Sequence, residues 1–265
     1  MERAVYWTDI PNGKLFRYDV ESREHWQVYS GRPVGGLTVQ ADGQLLLFLD
    51  NGSIAKWNGR DLDFVIESMD GELGNRFNDV IADPEGRVFC GTMSNQNTPG
   101  RLYRLDTDGS IRMILEGTKT SNGMGFSPDL TKFYFTDTGP GEIYVFDYDR
   151  ASGDLSNQTL LIKIDRSIAG APDGMTVDSE GNIWSTRWDG SKIVKYSPEG
   201  KELLEVPFPV KKVSSITFGG DDYTDAFVTT AGGQDKFTNG ELAGALFQMR
   251  PGVAGVPEFF STVKL

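Results

Sequence analysis

Residues 78–93 read NDVIADPEGRVFCGTM: a short alternating strand, a turn built from Pro84, Glu85 and Gly86, and a second strand around Cys90. The same unit recurs as GGLTVQADGQLLLFLD from Gly35, NGMGFSPDLTKFYFTD from Asn122, DGMTVDSEGNIWSTRW from Asp173 and SSITFGGDDYTDAFVTT from Ser214. The opening residues are 43, 44, 51 and 41 positions apart. A third strand follows in several repeats, as in GRLYRLDTDG (100–109), GEIYVFDYDRASGD (141–154) and SKIVKYSPEG (191–200). A period in the forties with several short strands per repeat is the mark of a β-propeller, whose blades turn their first strands toward a common axis.

The count closes on six blades. Five repeats are complete, and residues 4–24 (AVYWTDIPNGKLFRYDVESRE) supply the second and third strands of one more, without a first strand. At roughly 44 residues per blade, the 265 residues are accounted for as a single all-β domain over 1–265. PEFFSTVKL (257–265) is expected to serve as an outer strand, since propellers are often closed by pairing a strand from one terminus with the other. One period back from Gly35 falls about eight residues ahead of Met1, so the first inner strand, with one member of any shared site, is expected to lie outside this chain.

Thirty-two glycines, twelve prolines and 11% aromatic residues suit many short strands and tight turns. The formal charge of −12 argues against nucleic acid and anionic membrane as partners, because phosphate binding calls for a basic surface. One cysteine forbids an intrachain disulfide and fits a reducing compartment, with Cys90 a buried filler. The N-terminus carries no signal-peptide core and no run of about 18 apolar residues occurs, which reads as a cytoplasmic protein.

In a propeller the repeat-opening residues converge at the mouth of the central channel. Three of them, Asn78, Asn122 and Asp173, offer oxygen atoms suited to a hard cation such as calcium. Softer metals usually draw on His or Cys, but His25 falls outside the repeat register and Cys90 is in a strand body; a single histidine also disfavours a Ser-His-Asp triad. Asn122-Gly123 and Asp173-Gly174 would each read as ordinary turn pairs in isolation; what lifts them is the shared position in successive repeats. Arg76, two residues before Asn78, can offer paired donors to a substrate oxygen or bridge to a carboxylate. Asp9, Asp50 and Asp137 read as turn residues, and Trp184, Trp188, Phe133 and Tyr134 as packing between blades.

The strings NRFND (75–79), GTM (91–93), SNGMGFS (121–127), FDYD (146–149), APDGMTVDSEGNIW (171–184) and FGG (218–220) resemble the family of regucalcin, gluconolactonases and luciferin-regenerating enzyme, in order from about Trp7 to Gly244. The resemblance implies a six-bladed propeller that hydrolyses sugar lactones with one divalent cation: calcium first, with zinc, manganese, magnesium or iron as alternatives. It implies Asn122 and Asp173 as metal ligands, with Asp173 also orienting or activating water. Asn78 would lie against metal or substrate, and Arg76 would hold a substrate hydroxyl. Where some relatives have a substrate-contacting Glu after GTM, this chain has Ser94, Asn95 and Gln96, which makes Gln96 a substrate-side candidate. The family's N-terminal glutamate ligand would precede Met1, and Glu2 lies past that position. Two further readings stay open: a propeller that binds a small molecule or protein without catalysis, and an organophosphate hydrolase on the same scaffold.

Overall fold

The computed structural model describes residues 3–233 and 236–265, so Glu2 lies outside the described residues. The chain falls into two compact units: 1–121 with 258–265, and 122–257. The first holds three antiparallel sheets: β1 (Ala4–Asp9), β2 (Lys14–Asp19) and β3 (His25–Ser30); β4 (Val34–Val39), β5 (Leu45–Leu49), β6 (Ile54–Trp57) and β7 (Leu62–Ile66); β8 (Phe77–Ala82), β9 (Val88–Thr92), β10 (Gly100–Leu105) and β11 (Ile111–Thr118). The second holds β12 (Ser121–Phe126, of which Ser121 itself belongs to the first unit), β13 (Lys132–Asp137), β14 (Glu142–Asp149) and β15 (Asp154–Lys163); β16 (Ala171–Val177), β17 (Ile183–Trp188), β18 (Lys192–Tyr196) and β19 (Glu202–Pro207); and β20 (Val213–Gly219), β21 (Asp225–Thr230) and β22 (Leu246–Met249). Strands pair in chain order within every sheet. The fold is all-β, a six-bladed β-propeller.

The turn read from DPEG is as the sequence dictates. Asp83 Oδ1 accepts from the amides of Glu85 and Arg87, and Gly86, at φ +83°, closes the turn by donating to the Asp83 carbonyl. Asp178 repeats the arrangement with Glu180 and Asn182, and its second oxygen accepts from the Trp184 indole. These carboxylates are fully buried, so the turn's amides and neighbouring cations satisfy groups that burial would otherwise penalise.

Each unit has its own apolar clusters. Leu46, Phe48, Phe77, Val88, Cys90 and Val263 pack together in the first, and Trp184, Ile193, Val213, Phe218 and Val228 in the second. Cys90, Phe133, Tyr134 and Trp184 are buried, as expected of packing residues. Trp188 is half-buried and carries the Lys212 ammonium 4.6 Å above its ring.

The expectation for 257–265 needs correction. This segment adds no outer strand: Ser261 makes one parallel bridge to Gln40, and the tail runs past the turn ends of the second and third sheets. The Thr262 amide donates to the Gly86 carbonyl and that of Lys264 to the Thr107 carbonyl, while Gln40 bonds both the amide and carbonyl of Val263. Val263, 1% exposed, drives this placement: its side chain joins the core, and the Gln40 amide satisfies the backbone buried with it. No helix among the described residues is long and apolar enough to cross a membrane.

Candidate functional site

Four of the five repeat-opening residues sit where the inner strands lose register. In β8 the pairing with β9 passes from Phe77 opposite Thr92 to Val80 opposite Cys90, so Asn78 and Asp79 face Gly91 alone. In β16 it passes from Pro172 opposite Arg187 to Met175 opposite Ser185, leaving Asp173 and Gly174 against Thr186. Gly35 and Ser214 occupy the corresponding slips in β4 and β20. An extra residue on one strand is a β-bulge, which bends the strand and re-aims the side chains within it.

In the first unit Arg76 and Asn78 form a pair. Arg76 Nη1 donates to Asn78 Oδ1 at 2.8 Å and to the Phe77 carbonyl at 2.9 Å, while Asn78 Nδ2 donates to the Ser121 carbonyl at 2.9 Å. Asn78 is buried and Arg76 half-buried. Close packing brings β4 onto the same backbone: a Cβ on Gly35 would lie 2.0 Å from the Phe77 carbonyl oxygen. Gln96 stands exposed in the loop between β9 and β10. That loop is folded by Asn95, whose side-chain oxygen accepts from the amides of Asn97 and Thr98.

Asp79 is a carboxylate that the repeat comparison passed over. It stands in the β8 bulge where two other inner strands carry Gly123 and Gly174 after their polar residue. Loss of hydration pushes its carboxyl up to about 7, against the lowering pull of the Arg76 guanidinium. The signal was available in NRFND, as an acid in a glycine column.

In the second unit Asn122 and Asp173 are brought together through Thr138. Asn122 Nδ2 donates to Thr138 Oγ1 at 2.8 Å, and Thr138 Oγ1 donates to the Pro172 carbonyl at 2.7 Å, next to Asp173. The strands themselves touch: a Cβ on Gly123 would lie 2.4 Å from the Met175 nitrogen and 2.7 Å from the Asp173 carbonyl oxygen. Only glycine lets β12 approach β16 this closely. Asn122 is 5% exposed and Asp173 half-buried. An amide oxygen and a carboxylate on adjoining strands suit a hard divalent cation, which takes neutral and charged oxygens at flexible distances. Among the described residues no three His, Cys, Asp or Glu side chains cluster, so such a cation would draw on amide, carbonyl or water oxygens for most of its shell. The donor chemistry fits an oxygen-seeking cation and not a thiolate- or imidazole-seeking one.

Asp9 and Asp137 keep the local roles expected of them, accepting from Asn12 and from the Gly139 amide. Asp50 does more, pairing with Arg32 Nε at 2.7 Å while its backbone bridges to Arg76.

The family described as SMP-30/Gluconolactonase/LRE-like region matches residues 1–232. The chain belongs to this family. A pentonolactonase of Haloferax volcanii is 42% identical over 274 residues, spanning 100% of this chain and 92% of the relative. Regucalcin of Gallus gallus is 31% identical, with 97% of this chain and 90% of the relative covered. Among solved structures, a luciferin-regenerating enzyme superposes with a TM-score of 0.89 at 26% identity, over 98% of this chain and 92% of its own. Of the strings that carry the resemblance, NRFND, SNGMGFS and APDGMTVDSEGNIW fall on β8, β12 and β16, which carry Asn78, Asn122 and Asp173, with Arg76 just ahead of β8.

Proposed function

We propose that this protein, read as one propeller domain over 1–265, is a hydrolase of sugar lactones that uses one divalent cation, calcium first. The observation that carries the reading is the 42% identity to a pentonolactonase across the whole chain. That kinship puts five-carbon aldonolactones ahead of other substrates.

Asn122 and Asp173 would hold the cation. When bound, it supplies Lewis-acid polarisation of the lactone carbonyl and stabilises the developing oxyanion. Asp173 orients the attacking water and accepts its proton. Water adds to the carbonyl carbon, the ring ester C–O bond breaks, and the proton passes to the departing ring oxygen, giving the open-chain hydroxy acid. Arg76 holds a substrate hydroxyl; its bonds to Phe77 and Asn78 fix the guanidinium plane before substrate arrives. Asn78 carries both a metal and a substrate assignment. The substrate role is favoured, because its side-chain oxygen already accepts from a cationic group, which opposes a second cation at the same atom. Gln96, exposed on its loop, is assigned to substrate.

One observation favours a second reading, a propeller that binds without catalysis: the absence of a three-member acid, histidine or cysteine cluster among the described residues. Low ligand charge weakens cation affinity. The experiment is hydrolysis of xylonolactone, gluconolactone and a fluorophosphate after chelation, with and without added calcium, manganese or zinc. Metal-restored turnover of a lactone is expected. Turnover of none supports the binder, and turnover of the fluorophosphate alone supports an organophosphate hydrolase.

A further inference from the structure

The short turn Asp70–Glu72, ahead of β8, contains a carboxylate with no solvent exposure. Glu72 Oε1 accepts from the Tyr103 hydroxyl at 2.7 Å and from Arg101 Nη1 at 2.9 Å; Oε2 accepts from Asn75 Nδ2 at 2.7 Å. Arg101 also donates to the Gly71 carbonyl and to Glu116. Asn75 Nδ2 reaches the Met93 carbonyl as well, and its backbone bonds Glu72 and Asn51. The next residue is Arg76, whose carbonyl accepts from the Met93 amide and whose backbone bridges to Asp50.

A buried ion pair contributes little net stability, because desolvation of both charges offsets their attraction. What this one supplies is direction. Arg101 and Tyr103 stand on β10 and fix Oε1, which leaves Oε2 aimed at Asn75; Asn75 in turn ties the root of Arg76 to the end of β9. We propose that Glu72 is a positioning residue that sets the geometry of the Arg76 guanidinium through Asn75, and so governs how tightly substrate is held. The inference rests on the reading that Arg76 contacts the lactone.

Glu72→Gln is a discriminating change. The carboxylate accepts on both oxygens, whereas an amide can accept on one side only and must set its NH2 against either the Asn75 donor or the Arg101 and Tyr103 donors. Steady-state kinetics on xylonolactone with the full chain should show KM raised about tenfold with kcat within about twofold, since a displaced binding group loses orientation but leaves the chemical step intact. Calcium titration of the same variant should give wild-type affinity. In an Arg76→Ala background the Glu72→Gln change should raise KM no further, because residues acting through one group are not additive. Asn75→Ala leaves the Glu72 and Arg101 pair in place and should repeat this pattern, which carries the test if Glu72→Gln does not fold. Unchanged KM in Asn75→Ala and Glu72→Gln, or full additivity with Arg76→Ala, would overturn the inference. If Arg76→Ala itself leaves KM unchanged, the substrate role of Arg76 fails first, and that outcome is distinct from the other two.

Discussion

Asn78 and Asn122 open equivalent inner strands and are both almost fully buried, at 7% and 5% exposure, yet their amides meet different partners. In the first unit Asn78 is engaged at both ends: its oxygen accepts from Arg76 and its nitrogen donates to Ser121. In the second, Asn122 is anchored through its nitrogen on the Thr138 hydroxyl, which continues to the strand bearing Asp173. A repeat thus preserves a residue type while its partners differ. A guanidinium stands beside one amide oxygen and a hydroxyl behind the other amide's nitrogen; under the proposed function the first would hold a substrate hydroxyl and the second would serve the cation. The bulges matter for the same reason, since β8 and β16 both turn their polar residue out of the regular pleat, with Asp79 following in one and Gly174 in the other.

Removing the carboxylate of the second unit should break this division most sharply. Asp173→Ala is expected to abolish measurable cation binding and to lower kcat/KM by about a thousandfold or more, on the scale of losing a principal transition-state group. Retention of full activity would take the second unit out of the chemistry. In the first unit, Arg76→Ala should cost about 10- to 100-fold in kcat/KM, the range for a charged hydrogen bond, mostly through KM. Cation affinity, followed by calorimetry, should stay at the wild-type value; a parallel loss would mean that the two asparagine environments are not functionally distinct.

The hydroxyl behind Asn122 offers a smaller perturbation. Thr138→Val keeps the shape but removes the Thr138 hydroxyl that accepts from Asn122 Nδ2, so a loss of about 1–2 kcal/mol in stability is expected in urea unfolding. Cation affinity should weaken while the KM dependence on Arg76 is untouched. The smallest effect belongs to the turns that frame these strands. Burial alone would raise the Asp178 carboxyl, but the Trp184 indole, the Asn182 amide and the Lys195 ammonium together hold it below the ordinary carboxylate range. A depressed native value means that this stabilisation is present above the unfolded value of about 3.9 and is lost as pH falls through the native one. Asp178→Asn should therefore flatten the acid limb of the stability profile below the unfolded value of about 3.9, read from unfolding at a series of pH values. An unchanged limb would show that the turn gains nothing from the charge.

Much of this was legible in the chain itself. Alternation of apolar residues, DPEG-like turns and a period in the forties determine the six sheets, because strand burial and turn closure depend on residues adjacent in sequence. The polar residue opening each repeat was also visible, and Cys90, Phe133 and Trp184 are as buried as their strands imply. Three things were not. The tail at 257–265 reads as a strand by composition but is placed by where Val263 finds apolar neighbours and Gln40 a buried backbone amide and carbonyl to bond. The bulges depend on counting residues against a partner strand, which one strand's sequence does not contain. The different partners of Asn78 and Asn122 depend on Arg76 and Thr138, and Glu72 acquires its Arg101 and Tyr103 donors only when β10 folds beside the turn. Local pattern sets which residues line a strand; which atom of a side chain is left to face a ligand is set by contacts between strands, and only the tertiary structure decides those.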